Sequence, residues 1–582
     1  MKVLYFKILT DAKSEYLNPK EDKIWMIGIK FEDIKILRGE EQQIIHEFVK
    51  KVKEYDPDRI IGFKQDYDDF PFLLERAKSY GISIDIGRDG SEIKSSGKYF
   101  RGIILKETRI EGRENIDLFA IAWRDFPRLP TKEIDELAEA LEIRGFKRIP
   151  QFKLRDMGEA VEKYLVDYIT VMEKISNAIL PFEESVSEIC AVPLDRQIRM
   201  TVGELIDVIV VREMKARGIK EMRIGGKGKY EGGYVWLKEP GVYENVTYLD
   251  FQSMYPSIIK VWNISPETVD MGEGELVEVE NVKHMVNRKV KGVIPALVEE
   301  FLNRRMEIKR ELKRNYNLRM DAEQKALKVM ANAMYGYMGW NGATYYNRNA
   351  AELIAALARH YIKEVHKIIE DMGGTVIYVD TDGIQFIGGN PEKIMEKINS
   401  EFPLNIELER IVKKAAYWTK KKYAHLFDDQ VIAVGLEYVR RDYPPLIKEA
   451  QRKIVKALLK GNVDEARRIR AEYRRRLKDG NFEIEDIAIV EQLTKKPEEY
   501  EKATKASVVA KILKERYGVE IHRGTYLYIA IVRGSGGPTY RARPIEMVSV
   551  EEVDISYYLK MYDDTINRTF EIFKVSPVRQ WF

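Results

Sequence analysis

The chain has 582 residues, 45% of them hydrophobic and 33% charged. That excludes a disordered polymer and exceeds what one core supports, so about three to five domains or subdomains are expected. A net charge of +3 neither requires nor excludes a polyanionic partner, and a single cysteine with six scattered histidines excludes a disulfide framework and a thiolate zinc site.

Residues 1 to about 160 read as α/β. The stretches KVLYFKIL and KIWMIGIKF alternate as strands, EEQQIIHEFVKKVKEY has helical spacing of apolar residues, and DPDRIIGF gives a turn and a strand. Pro127 and Pro130 mark a loop, after which helices run to about 225. The glycine-rich GGKGKYEGGYVWLKEPG opens a new β region, and two long helices are expected over 296–338 and another over 350–371. Past about 430 the chain is helical and basic: Arg440 to Gly480 holds 14 Lys/Arg against 6 Asp/Glu. Such a segment suits a phosphate-facing surface as well as a solvated helix face. A short β segment follows at 525–533. No leading apolar run resembles a signal peptide, and YLYIAIV at 526–532 is too short to span a bilayer, which points to a cytoplasmic protein without membrane contact. The Lys/Arg/Glu/Ile-rich composition hints at a thermophile.

The chemistry concentrates in TVIYVDTDGIQF, where Asp380 and Asp382 interrupt a strand-like segment. Residues at i and i+2 share one strand face, so these carboxylates are expected to converge on one cation. A calcium loop is ruled out, since the sixth and twelfth positions from Asp380 are Gln385 and Pro391. Alone, the pattern would also fit a simple turn. A second strand, VTYLDFQSMYPSII, ends in Asp250. Three carboxylates at strand ends suit a two-metal site, which holds divalent ions by oxygen ligands and leaves positions open for phosphate. Between them lie Arg305 and Lys309, then Lys328 and Asn332, each pair at helical i, i+4 spacing. Either pair alone could be a solvated face; together with the acids they suggest triphosphate binding.

DFQSMYPSII, KVMANAMYG and YVDTDG, in this order and spacing, resemble the palm and fingers motifs of the archaeal-type family B DNA polymerases. YEGG at 230–233 resembles the family's nuclease–palm junction, and KKY at 421–423 its primer-duplex contact. The resemblance runs nearly the length of the chain. It implies an α/β multidomain right hand (palm, fingers, thumb) behind a ribonuclease H-like exonuclease-type domain. The expected divisions are 1–165 exonuclease-like, 166–225 helical connection, 226–295 with 342–425 palm, 296–341 fingers and 426–582 thumb. By resemblance, Asp250 and Asp382 would hold two Mg²⁺ ions (Mn²⁺ substituting), with the Phe251 carbonyl as a backbone ligand and Asp380 a closer or weaker one. Ser253 and Met254 would offer backbone N–H groups to a deoxynucleoside triphosphate. Arg305, Lys328 and Asn332 would grip it, assisted by Lys309. Tyr255 would exclude a 2′-hydroxyl, and Tyr335 with Gly336 would stack near the nascent pair. Tyr230, Gly232, Gly233, Lys421 and Tyr423 would contact primer–template DNA, as would Arg474, Arg475 and Arg476 in the thumb. Met254 and Ala333 depart from the usual Leu and Ser without changing the chemistry.

The front of the chain departs further. GFKQDYDDFPFLLERAKSYGISIDIGRDGSE resembles the family's proofreading nuclease, with Asp69 at a ligand position. The first nuclease motif should supply an Asp and a Glu, yet Lys7 and Leu9 stand there. The third should read Tyr-x-x-x-Asp, but Tyr164 is followed by Tyr168, and Asp167 points about 100° away on a helix. An ammonium repels both metal and phosphate. Asp11, Asp66 and Asp68 are the candidates for replacement ligands. The expectation is a kept fold with lost nuclease chemistry, in a monomer that also lacks the family's leading domain. The carboxy-terminal VSPVRQWF does not match a sliding-clamp peptide, so clamp binding is left open. The function expected is template-directed DNA synthesis without proofreading, in repair or translesion synthesis. The rival class is an inactive paralogue serving as a DNA-binding scaffold, disfavoured because the polymerase carboxylates are retained while three nuclease ligands are gone.

Overall fold

In the computed structural model, residues 1–575 are described except 101, 102 and 227, without the side chains of 98–100 and 103–105. The clamp-peptide question falls on residues 576–582 and lies outside the described residues.

The amino-terminal sheet has the order Ile34–Arg38, Ile24–Lys30, Val3–Thr10, Arg59–Gly62, Glu114–Asp117. Its first three strands are antiparallel and its last three parallel. Helices cover both faces, so Val3–Thr10 is apolar on both sides rather than alternating. Leu4, Phe6 and Ile8 pack toward the helices Glu41–Tyr55 and Phe70–Ser79, whereas Tyr5 and Leu9 share a core with the helix Ala160–Cys190. Lys7 is the one polar residue on that second face, since period-2 alternation aligns it with Tyr5 and Leu9.

A seven-stranded antiparallel sheet forms the palm, in the order Gln430–Val434, Lys422–Phe427, Ile406–Thr419, Gly241–Phe251, Gly383–Gly388, Gly374–Asp380, Val235–Leu237. The helices Met254–Trp262 and Arg348–Asp371 join its main hydrophobic core. The segment expected to be the fingers is a helical hairpin, Val293–Leu312 and Leu318–Met338, bridged by Arg304 to Glu323 at 2.7 Å and entered on the second helix through the Asn317 cap. The basic segment forms the helices Pro445–Leu459 and Val463–Lys478, packed with Ile555–Ile572 and a three-stranded sheet containing Tyr526–Ile531.

Two expected divisions do not coincide with structural breaks. Ala160–Cys190 runs unbroken through 165/166, with Tyr164, Leu165 and Ile169 in the amino-terminal core and Val186 and Cys190 in the palm core. The palm also does not end at 425, because Gln430–Val434 pairs with Lys422–Phe427 and extends the same sheet.

Candidate active site

Strand pairing brings the palm acids together. Asp250 sits opposite Gly383, and the Phe251 N–H donates to the Asp382 carbonyl at 3.0 Å, so the last turn of one strand lies against the acid-bearing loop of the next. The expectation that Asp380 and Asp382 share a strand face is not met. The strand ends at Asp380, Thr381 turns the chain at φ +66°, and the next strand begins at Gly383. Asp382 therefore lies in the turn and not on the strand that ends at Asp380. Asp380 is ion-paired with the Lys421 ammonium and lies 3.4 Å from the Tyr378 hydroxyl, while Asp382 faces Asp250. Among the described residues no cluster of three or more His, Cys, Asp or Glu forms a metal cage; the converging pair is Asp250 with Asp382.

That pair is electrostatically incomplete. Burial, then Asp382 and Glu409, push the Asp250 carboxyl up to about 7, against the opposing pull of Lys328 and Arg410. Burial and the neighbouring Asp380 also raise Asp382. The Asp250 Oδ1 is buried with no hydrogen-bond partner. A buried carboxylate oxygen without a donor, facing a second carboxylate, fits a hard divalent cation in both charge and ligand type.

Of the other expected residues, Lys328, Lys421 and Tyr255 lie near the acids. Ser253 adopts φ +50° and starts the helix Met254–Trp262 with no side-chain cap, so its first turn presents backbone N–H groups as a helix N-terminus does for phosphate. Lys328 is exposed on the fingers helix and close enough to lower both Asp250 and Asp382; Asn332 and Gly336 continue its exposed face at i+4 and i+8. Arg305 is half-buried, with Nε 3.3 Å from Gln324, and Lys309 is exposed one turn on. Tyr255 and Tyr335 stack with ring centroids 4.2 Å apart at 2° between planes. Tyr230 is close to Tyr335, and Gly233 fits against Thr381, where an added Cβ would come within 2.8 Å. Tyr423 stacks on His425 at 4.7 Å. In the thumb, Arg474 is paired with Asp563 at 3.0 Å and Arg476 lies over the Tyr473 ring, which leaves Arg475 the most exposed of the three.

Sequence reading missed Glu407, Glu409, Arg410 and Tyr248. The strand Ile406–Thr419 sets Glu407 opposite Asp250 and Arg410 opposite Tyr248, with the Arg410 guanidinium 5.7 Å from the Tyr248 ring. Their alternation in NIELER was visible; the strand they would pair with was not.

The front domain presents a contrasting arrangement. Lys7 Nζ donates to both oxygens of Asp69, at 2.9 and 3.1 Å, and lies 5.7 Å from the Tyr168 ring. Burial pushes Asp69 up to about 6 despite Lys7, and its side chain is 2% exposed. Leu9, Tyr164 and Tyr168 are buried in the same core. Of the candidate replacement acids, Asp68 lies next to Asp69 in the chain and helps to raise it. Asp66 is bonded to Arg199, Asn115 and the Thr108 N–H, Asp11 accepts from the Lys23 N–H at 2.7 Å, and Asp167 is exposed on the outer face of its helix. Beyond this pair, Arg148 bridges Glu15 at 2.6 Å and lies 6.0 Å from the thumb's Tyr528 ring, while the Tyr16 hydroxyl donates to the Tyr526 carbonyl at 2.8 Å. The thumb thus packs directly on the front domain.

A family model described as DNA polymerase family B matches residues 192–573, and one for the family B exonuclease domain matches residues 36–130. The chain is 34% identical to a DNA polymerase of Archaeoglobus fulgidus, over 94% of this chain and 71% of that one. It is 32% identical to DNA polymerase 2 of Aeropyrum pernix, over 96% and 72%. The solved family B DNA polymerase of the hyperthermophilic archaeon Pyrobaculum calidifontis superposes with a TM-score of 0.81 at 29% identity, covering 99% of this chain and 79% of that one. With its palm, fingers and thumb behind an exonuclease-type domain, this chain belongs to DNA polymerase family B.

Proposed function

We propose that this DNA polymerase extends primers without 3′→5′ proofreading and so continues past mismatched or damaged termini, in repair or translesion synthesis. The observation that carries the reading is the Lys7–Asp69 ion pair: the cation at the one retained nuclease carboxylate is a side chain of the protein itself. Leu9 and Tyr168 are buried beside it at positions where the family's nuclease would supply further carboxylates to a two-metal site.

In the palm, Asp250 and Asp382 with the Phe251 carbonyl would hold divalent ions, magnesium or manganese. When bound, these supply charge stabilisation to the attacking and leaving oxygens of nucleotidyl transfer. The chain's own groups do the rest. The amides at Ser253 and Met254 and the cations Arg305, Lys309 and Lys328, with Asn332, would hold the triphosphate of an incoming deoxynucleotide. Tyr255, braced by its stack with Tyr335, would occupy the space of a 2′-hydroxyl, with Gly336 beside the nascent pair. Tyr230, Gly232 and Gly233 would meet the template strand. Lys421 and Tyr423 would contact the primer, Lys421 exchanging Asp380 for a backbone phosphate, and Arg474, Arg475 and Arg476 would add sequence-independent attraction to the duplex.

The test is a 5′-labelled primer with a 3′ mismatch, incubated with Mg²⁺ or Mn²⁺. Without nucleotides the primer is expected to stay intact, and with them to be extended. A shortening ladder that persists in Asp250→Ala and vanishes in Asp69→Ala would overturn the loss of proofreading. Absence of all extension would favour the scaffold role instead.

A further inference from the structure

The loop ahead of the palm touches both halves of the active site, and two arginines on one helix hold it. Arg348 and Arg359 are eleven residues apart on Arg348–Asp371, three helical turns, so they share a face. Arg348 donates to the carbonyls of Gly228 and Lys229, each at 2.9 Å. Arg359 donates to the carbonyls of Glu231 and Gly232, at 2.6 and 3.0 Å. Each has its own counter-ion, Glu352 for Arg348 and Glu280 for Arg359, both at 2.8 Å. Charge-assisted donors in a planar fork fix the position of main chain more tightly than a lysine could.

The pinned loop then branches. Tyr234 accepts the Thr381 N–H at 2.8 Å, and Gly233 lies against the Thr381 side chain, so the loop buttresses the φ +66° turn between Asp380 and Asp382. In the other direction the Arg348 guanidinium lies 5.7 Å from the Tyr230 ring, and Tyr230 is close to Tyr335, which stacks on Tyr255. Neither arginine is bonded to the acids or stacked in the tyrosine pair, yet both ends of the loop reach those groups.

We infer that Arg348 and Arg359 are positioning residues that set, through this one loop, both the orientation of the acid-bearing turn and the sugar-discriminating tyrosine stack. The inference rests on the two-metal reading of Asp250 and Asp382. Its signature is that the rate at saturating substrate and the deoxyribonucleotide over ribonucleotide preference move together.

The experiment compares wild type, Arg348→Ala and Arg359→Lys in single-nucleotide primer extension at saturating primer–template, with kcat and KM measured for a deoxyribonucleotide and its ribonucleotide. Thermal melting and primer–template Kd are measured alongside. Arg359 is 3% exposed, so its variant keeps the charge beside Glu280; Arg348 lies nearer the surface, and its variant carries the test if Arg359→Lys fails to fold. Each folded variant should lose about tenfold in kcat and about fivefold in sugar preference, with Kd within about twofold of wild type. A change in only one of the two kinetic quantities, or in neither, overturns the inference. So does a loss confined to Kd with a flatter salt slope, which would make the arginines phosphate contacts. Wild-type extension by Asp382→Ala would instead overturn the metal-site reading, whatever the arginine variants show.

Discussion

The molecule contains two sites built around buried carboxylates, and they meet the same electrostatic problem differently. In the front domain Asp69 has an ammonium on both oxygens, so its charge is answered from within. In the palm Asp250 is raised to about 7 beside Asp382, and one of its oxygens is buried without a donor. A buried charge must be paired or neutralised. The front site is paired by Lys7, although burial still holds Asp69 at about 6, while the buried Asp250 oxygen has no donor. The difference teaches that a retained acid does not define a metal site; the unsatisfied acid does.

The largest expected effect separates the two sites outright. Asp250→Ala or Asp382→Ala should lower primer extension by about 1,000-fold or more while primer–template binding in a mobility-shift assay is kept. Extension near the wild-type rate in either variant would break the assignment.

Next, the front pair should behave as structure. Lys7→Leu strands Asp69 in the core and should cost about 3 kcal/mol in chemical denaturation of the front domain. Lys7→Leu combined with Asp69→Leu should recover most of that loss, since an apolar pair needs no counter-charge. If the double variant remains as unstable as the single one, the ion pair is not what Lys7 supplies.

Replacing Tyr255 with Ala should raise ribonucleotide incorporation relative to deoxyribonucleotide by about tenfold or more, read from the ratio of kcat/KM values. An unmoved ratio would show that the Tyr255–Tyr335 stack does not face the sugar.

The smallest effect concerns pH. Because the folded Asp250 binds its proton up to about pH 7, far above the ordinary carboxylate value, proton and metal compete below that pH. The metal concentration for half-maximal extension should therefore rise severalfold between pH 8 and pH 6, and excess metal should restore the rate. The same raised value makes the unpaired carboxylate costly to the metal-free fold as pH climbs toward 7. Asp250→Asn should accordingly melt higher than wild type at pH 8 without metal, and the gap should shrink toward pH 4.

The sequence determined much of this by itself. Strand alternation and helical periodicity located Val3–Thr10, Glu41–Tyr55, the fingers helices and the strand carrying Asp250, because such patterns are local and set by backbone geometry. The resemblance carried by DFQSMYPSII, KVMANAMYG and YVDTDG, in that order, pointed to the family to which the chain belongs. Lys7 could likewise be read as a misfit, a charge where an acid belongs. What the sequence could not supply was partnership between residues far apart in the chain. That Asp380 pairs with Lys421 follows from the fold, and that Glu407 and Arg410 stand beside Asp250 follows from a strand register more than 150 residues away. Lys7 reaching Asp69, 62 residues on, needed the sheet and its covering helix to assemble first. Hydrogen bonds, ion pairs and stacking act over a few ångströms of space, so only the tertiary structure decided which charges were already answered and which were left for a ligand.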